Sequence, residues 1–289
     1  MRRDIKRVGI IAKPKLSTVG TVVNELREWF AARQISLVLD TNTAAMIGDR
    51  FSGVPQPDVP SQCDLIVVLG GDGTLLSVAR IMGSHAVPVL AVNFGSLGFL
   101  TEITLEETFN TLEDILAGRA TTQKRLMIDV TVERKEAKFA SYRALNDVVL
   151  TKAALARIID IDVKINNQFV ATYKADGLIV ATPTGSTAYT LSAGGPIVFP
   201  TLAAMLISPI ASHTLTFRTL VVPDTVTIEL SLKATQESVF LTVDGQVGLA
   251  LEGDDLLQIR KSAGSIELVE SANTNFFDVL RQKLKWGER

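Results

Sequence analysis

Through the first 120 residues, short apolar runs alternate with helical spacing. Val8-Gly9-Ile10-Ile11-Ala12 predicts a buried strand, and Val22, Val23, Leu26, Trp29 and Phe30 recur on one helix face. Ile35–Leu39 predicts a second strand. Leu65-Ile66-Val67-Val68-Leu69 predicts a third, five apolar residues bounded by Asp64 and Gly70. Leu75, Leu76, Val78 and Ala79 predict a helix, and Val87–Val92 another strand. Thr104 with Glu107 predicts a capping box opening a helix through Ala117, with Gly118 as its stop. Strands without polar alternation, separated by helices, indicate a parallel sheet covered on both faces.

Beyond residue 120 the period becomes two. Ile128, Val130 and Val132 alternate with polar partners, as do Ile159, Ile161, Val163 and Ile165, and then Val226, Ile228, Leu230 and Leu232. This is the pattern of half-exposed antiparallel strands. Asp160 and Asp162, on the polar face of one of them, read as solvated charges rather than a metal site. From Asn275 to Trp286 the spacing is helical again, through Phe276, Val279, Leu280 and Leu284. The expected division is an α/β domain over 1–121, a β-rich domain over 122–272 and a C-terminal segment over 273–289.

Composition narrows the function classes. Hydrophobic residues are 47% and charged residues 21%, as in an ordinary folded protein. Lys+Arg number 29 against 31 Asp+Glu, so no basic excess drives nucleic-acid or anionic-membrane binding. One cysteine, Cys63, and two histidines exclude an internal disulfide and a Cys/His zinc set. The N-terminal basic cluster (Arg2, Arg3, Lys6, Arg7) precedes an apolar run too short for a signal peptide before Lys13-Pro14 interrupts it, so a cytoplasmic protein is expected. One anomaly remains: Gly177–Phe217 holds no Asp, Glu, Lys or Arg over 41 residues. Its four prolines and many hydroxyls rule out a membrane span.

Four clusters carry candidate chemistry. Gly70-Gly71-Asp72-Gly73-Thr74 follows the best strand and opens a helix, where unpaired N–H groups suit phosphate. The three glycines are expected to permit close approach and positive φ, with one carboxylate in the middle. The same loop reads alternatively as a tight turn with Asp72 capping the helix. Asn93-Phe94-Gly95-Ser96-Leu97-Gly98-Phe99-Leu100 closes the next strand. Asn146-Asp147 places two polar residues inside an apolar pattern, as a binding pair or a hairpin turn. Asp176 through Pro196 runs from an apolar strand into a hydroxyl-rich glycine loop containing Tyr189.

Taken in order, and with Thr242-Val243-Asp244-Gly245-Gln246 as a fifth element, these clusters resemble the NAD kinase family, enzymes that phosphorylate NAD to NADP. The resemblance covers nearly the whole chain. It implies an N-terminal α/β domain, a C-terminal β-sandwich-like domain that binds NAD, and a final helix returning to the first domain. It implies homo-oligomers, dimer or tetramer, and NAD and ATP as substrates. Asp72 would be the base on the ribose 2′-hydroxyl. Gly70, Gly71, Gly73 and Thr74 would form the phosphate loop. Mg2+ would be held mainly by ATP phosphates rather than by a protein cage. Asn146 and Asp147 would contact adenosine. Thr187, Ala188, Tyr189, Thr190, Leu191 and Ser192 would line the adenine and ribose. Asp176 and Ala211 would lie toward nicotinamide, with Gln246, Arg157 and Lys174 near the dinucleotide. The glycine–aspartate loop also occurs in diacylglycerol and sphingosine kinases, which makes a lipid kinase the rival reading. No basic amphipathic helix or lipid anchor supports that rival. The uncharged run then reads as a dinucleotide shelf in its first half and, in its second, as a segment buried in a domain or subunit interface.

Overall fold

The structure, a computed structural model, describes residues 4–13, 18–49, 52–95, 97–153, 157–232 and 238–287. Arg2, Arg3, Pro14 and Ser96, named above, lie outside them. The chain divides into two units, 1–124 with 266–289, and 125–265. The sequence pattern places these divisions a few residues away, at 121/122 and 272/273.

The first unit alternates β1 (Arg7–Ala12), α1 (Val19–Ala31), β2 (Ser36–Leu39), α2 (Thr41–Met46), β3 (Leu65–Gly70), α3 (Asp72–Ile81), β4 (Pro88–Asn93) and α4 (Thr108–Leu116). The strands run parallel in the order β2-β1-β3-β4. Every residue of β3 and β4 is buried, which is why these runs carry no polar alternation. Val23, Leu26 and Phe30 of α1 pack on that sheet with Ile10, Leu65 and Leu90. The helix after Thr104 begins later than expected. Only half of the capping box forms: the Glu107 carboxylate accepts the Thr104 N–H at 2.9 Å, and Thr104–Glu107 is a turn preceding α4. Gly118 takes positive φ (73°) just past the helix, as its stop requires.

The second unit is built from antiparallel strands: β5 (Thr122–Arg134), which enters from the first unit, β6 (Ala137–Ala144), β7 (Asp147–Lys152), β8 (Ile159–Ile165), β9 (Gln168–Ala175) and β10 (Gly177–Ala181). A short helix α5 (Tyr189–Ser192) leads to β11 (Ala204–Ile210), β12 (Leu220–Pro223), β13 (Ile228–Leu232), β14 (Val239–Val243), β15 (Val247–Leu251) and β16 (Leu256–Val269). Six strands form one layer, ordered β12-β11-β10-β7-β14-β15; β16, β13, β8 and β9 line up in the other, where β5 pairs with β6 and β16. Ile128, Val130, Ile161 and Val163 from one layer meet Val148, Leu150, Leu178 and Val180 from the other in a single core. Val226 packs against this core but precedes β13. Asp162 accepts the Thr172 hydroxyl at 2.5 Å, and Asp160 lies 3.9 Å from Lys174. The uncharged run is explained in part by burial on both faces of β10. Its Ile179 and Ala181 pack outward under Val198 and Leu206. Further along the run, 213–216 is exposed on the single chain, and Leu215 is 86% accessible.

The last residues of β16 return to the first unit, where Glu267 and Leu268 pair in parallel with Pro88 and Val89 of β4. The helix α6 (Phe276–Leu284) follows, its N-terminus closed by a reciprocal box between Asn275 and Asp278. Val279 and Leu280 form its buried face.

Candidate active site

In the first unit, the loops after β3 and β4 lie at the carboxyl ends of parallel strands, where open α/β sheets bind ligands. The β3 loop is the most constrained. Gly71 is the N-cap of α3 and Asp72 its first residue, so Asp72 does not cap the helix. Its carboxylate reaches across to the second glycine loop instead. Oδ1 accepts the N–H groups of Leu100 and Thr101, both at 3.1 Å, and the Thr101 hydroxyl at 3.0 Å. Oδ2 accepts the Phe99 N–H at 2.9 Å. Four donors fix the carboxylate's direction while Oδ2, with a single partner, keeps acceptor capacity. A Cβ on Gly98 would stand 2.0 Å from Asp72 Oδ1, so the residue there must be glycine for this docking. Gly98 and Thr101 therefore belong to the site. Their signal in the sequence is only their place in a glycine loop beside a matching strand end.

The glycines of the first loop act differently from expectation. None of Gly70, Gly71 and Gly73 takes positive φ. Gly70 is required sterically, since a Cβ would lie 2.4 Å from the Thr74 hydroxyl. Gly71 has φ −121° and open space where a Cβ would go, so nothing within the fold demands glycine there. Beside this loop is a cavity of about 360 Å3, lined by Lys13, Asp40, Asn42, Gln56, Gly71 and Thr74 among others.

The second unit holds a larger cavity, about 460 Å3, on the outer face of its six-stranded layer. Asn146, Asp147, Ala188, Tyr189, Thr242 and Asp244 border it. Asn146-Asp147 is no hairpin turn. It joins β6 to β7, which pair with different strands. Thr182 locks it, donating its N–H to the Asn146 carbonyl and its hydroxyl to the Leu145 carbonyl, at 2.9 and 2.6 Å. Gly185 lies against the Asn146 carbonyl, and a Cβ there would come within 2.1 Å of its oxygen. Asp244, in a turn with φ 49° followed by Gly245 at 63°, accepts the N–H groups of Leu145, Asn146 and Asp147 at 3.0, 2.8 and 3.2 Å. Asp147 is 4% exposed, and burial, reinforced by the charge of Asp244, pushes its carboxyl up to about 7, against one opposing N–H from Tyr189. Asn146 Oδ1, Thr184 Oγ1 and Thr190 Oγ1 are buried without a hydrogen-bond partner.

The remaining candidates do not line this cavity. Thr187 and Leu191 are half-buried beside Tyr189, Thr190 is buried and Ser192 exposed. Asp176 and Ala211 sit together at the opposite end of β10, where the Asp176 N–H donates to Ile210 at 3.0 Å. Lys174 is exposed at that end, and its carbonyl accepts the His213 N–H at 2.9 Å. The five residues of β10 set the two ends about 15 Å apart. Arg157 is exposed ahead of β8, and Gln246 is exposed in the turn beyond Gly245. Among the described residues no group of three or more His, Cys, Asp or Glu is placed to hold a metal ion. No helix among them is long and apolar enough to cross a membrane.

Residues 8–120 match the family model of the ATP-NAD kinase N-terminal domain, and residues 145–271 that of the ATP-NAD kinase C-terminal domain. The chain belongs to the NAD kinase family. An NAD kinase of Solibacter usitatus is 49% identical over 285 residues, 99% of both chains. One of Geobacter sulfurreducens is 47% identical, over 99% of this chain and 100% of its own. Yeast NADH kinase, solved in complex with NADH, superposes with a TM-score of 0.90 at 26% identity, covering 100% of this chain and 90% of that one. An NAD kinase from Archaeoglobus fulgidus, solved with ATP, shares the fold at TM-score 0.75 and 24% identity, covering 96% and 98%. The chain is accordingly a phosphotransferase of the NAD kinase family, and the lipid-kinase reading finds no support in these matches.

Proposed function

We propose that the chain transfers the γ-phosphoryl group of ATP to the 2′-hydroxyl of the adenosine ribose of NAD, forming NADP, with Asp72 as general base. The observation that carries this is the anchoring of Asp72 by the 99–101 loop, which aims a half-buried carboxylate and leaves acceptor capacity on Oδ2. Oδ2 takes the 2′-hydroxyl proton as the 2′-oxygen bonds to the γ-phosphorus. The bond from that phosphorus to the β,γ-bridging oxygen breaks, and ADP leaves. A loose transition state asks mainly for positioning and charge neutralisation. ATP enters as its Mg2+ complex, the ion held by phosphates and water, which requires no protein cage. Gly71 supports a phosphate loop here, because close approach by a ligand is a reason for glycine that the fold itself does not supply.

In the same reading adenosine occupies the 460 Å3 cavity, where the unpartnered oxygen of Asn146 accepts a ligand donor, Asp147 meets hydroxyls and Tyr189 offers its ring. Thr187 through Ser192 flank it. Asp176 and Ala211, with Lys174, Arg157 and Gln246, serve the dinucleotide beyond. The protein acts in the cytoplasm as a homo-oligomer, dimer or tetramer, which light scattering checks. The decisive assay supplies NAD and MgATP and detects NADP. Failure to form NADP under conditions where the protein is folded sinks the proposal.

A further inference from the structure

Asp244 lies in the fifth element of the resemblance, which gave it no role, and its carboxylate holds the backbone of Leu145, Asn146 and Asp147. It borders the same cavity, 6% exposed, on a turn whose two leading residues both take the left-handed conformation. Its two oxygens accept three consecutive N–H groups, those of Leu145, Asn146 and Asp147, and its own N–H donates to the Asp147 carbonyl at 2.9 Å. A hydrophobic turn residue would leave those three donors unpaired. An asparagine would satisfy only some of them, since its amide nitrogen cannot accept.

We propose that Asp244 is a positioning residue of the nucleotide site, holding Asn146 and Asp147 by their backbone and determining, through its charge, whether Asp147 meets a ligand as hydrogen-bond donor or acceptor. The proposal rests on the reading of this cavity as the adenosine site. The groups that act on Asp147 are Asp244 from the β14–β15 turn and the Tyr189 N–H from α5, and the Tyr189 side chain and Asn146 border the same cavity. Among the described lining residues Asp244 is the one other ionisable carboxyl, and no cation borders the cavity. Two carboxylates close together in a buried place resist ionising together, so removing one charge eases ionisation of the other. A ribose diol donates to an ionised Asp147, so binding it releases a proton wherever Asp147 is protonated in the free enzyme.

Two measurements on the full-length protein test this. In the ligand-free enzyme, the Asp147 carboxyl is titrated by carbon-detected NMR, its resonance assigned by its loss in Asp147→Asn. In Asp244→Asn the midpoint is expected to fall by about one pH unit or more. Separately, KM for NAD is measured from pH 5.5 to 8.5. The wild type is expected to show KM rising toward acid pH, by up to about tenfold per pH unit. Asp244→Asn is expected to raise KM throughout and to move the inflection to lower pH. Asp147→Asn is expected to abolish the inflection, and it serves if Asp244→Asn does not fold. A purely structural Asp244 would raise KM without moving the midpoint or the inflection. An unchanged midpoint in folded Asp244→Asn, or an inflection that survives in Asp147→Asn, overturns the proposal. If the wild type binds no NAD at any pH, the adenosine reading fails instead, while the ligand-free titration still decides the coupling of the two carboxyls.

Discussion

Asp72 sits where two chemical demands conflict. A base needs a lone pair for its substrate, whereas a carboxylate at a loop junction is ordinarily consumed by donors. Here Oδ1 takes three donors and Oδ2 one. Asp72→Asn must therefore turn its amide nitrogen toward the Phe99 N–H if its oxygen is to keep the other three. The variant is expected to fold, to lose about 1–3 kcal/mol by urea denaturation, and to lose roughly 10²–10⁴-fold in kcat. Near-wild-type turnover refutes the assignment of the base. Gly98→Ala reaches the same carboxylate by steric force. Its methyl would lie 2.0 Å from Oδ1, so kcat should fall with Asp72 itself intact, and Tm should drop by an amount equivalent to about 1–3 kcal/mol of overpacking. The base role proposed for Asp72 comes, in the sequence, only from resemblance. The need for Gly98 was not readable there, because it depends on two strand ends lying side by side.

Among the elements, the strands were the most legible. The β3 run, with every residue buried, and the alternation in β5 and β8 follow directly from which faces are covered. Helix starts were less so. Both Thr104…Glu107 and Asn275…Asp278 have box spacing, yet only the second closes reciprocally. At the first, Glu107 also accepts from Asn273 at 2.7 Å, a partner 166 residues away that local sequence does not disclose. Asn275→Ala should accordingly cost about 1 kcal/mol, read as a lowered urea midpoint. Gly185 illustrates a further limit. It is glycine because the Asn146 carbonyl lies against it, not because its φ is unusual. Gly185→Ala should displace the Asn146–Asp147 connection, raising KM for NAD more than it lowers kcat for MgATP turnover.

For the molecule as a whole, the buried acid Asp147 ties stability to pH. Its carboxyl is raised to about 7 from 3.8, by burial first and the Asp244 charge second. Folding therefore favours the protonated form. That contribution is complete below about pH 4 and is lost as pH rises through 7, at about 1.4 kcal/mol per pH unit crossed. Glu107 and Asp255, whose carboxyls are lowered despite burial by their hydrogen-bond donors, oppose the trend on the acid side. Comparing wild type with Asp147→Asn isolates the one group. The variant should gain stability relative to wild type between pH 5 and pH 8, and parallel profiles would show that Asp147 is ionised throughout. The division into an α/β unit and an antiparallel unit was legible from the change of period near residue 120. The return of the C-terminal helix to the first unit was implied only by resemblance, since a helical spacing says nothing of where a helix docks, and the return of the end of β16 was not anticipated.

Conversion of NAD to NADP is read out by product formation. Purified protein, NAD and MgATP are incubated, and NADP is read by a dehydrogenase that ignores NAD. NADP should accumulate with wild type and fall by at least about 100-fold in rate with Asp72→Asn. Folded wild-type protein that forms no NADP would show that the chain is not an NAD kinase in this sense, and Asp72→Asn that forms it at an undiminished rate would show that Asp72 is not the base.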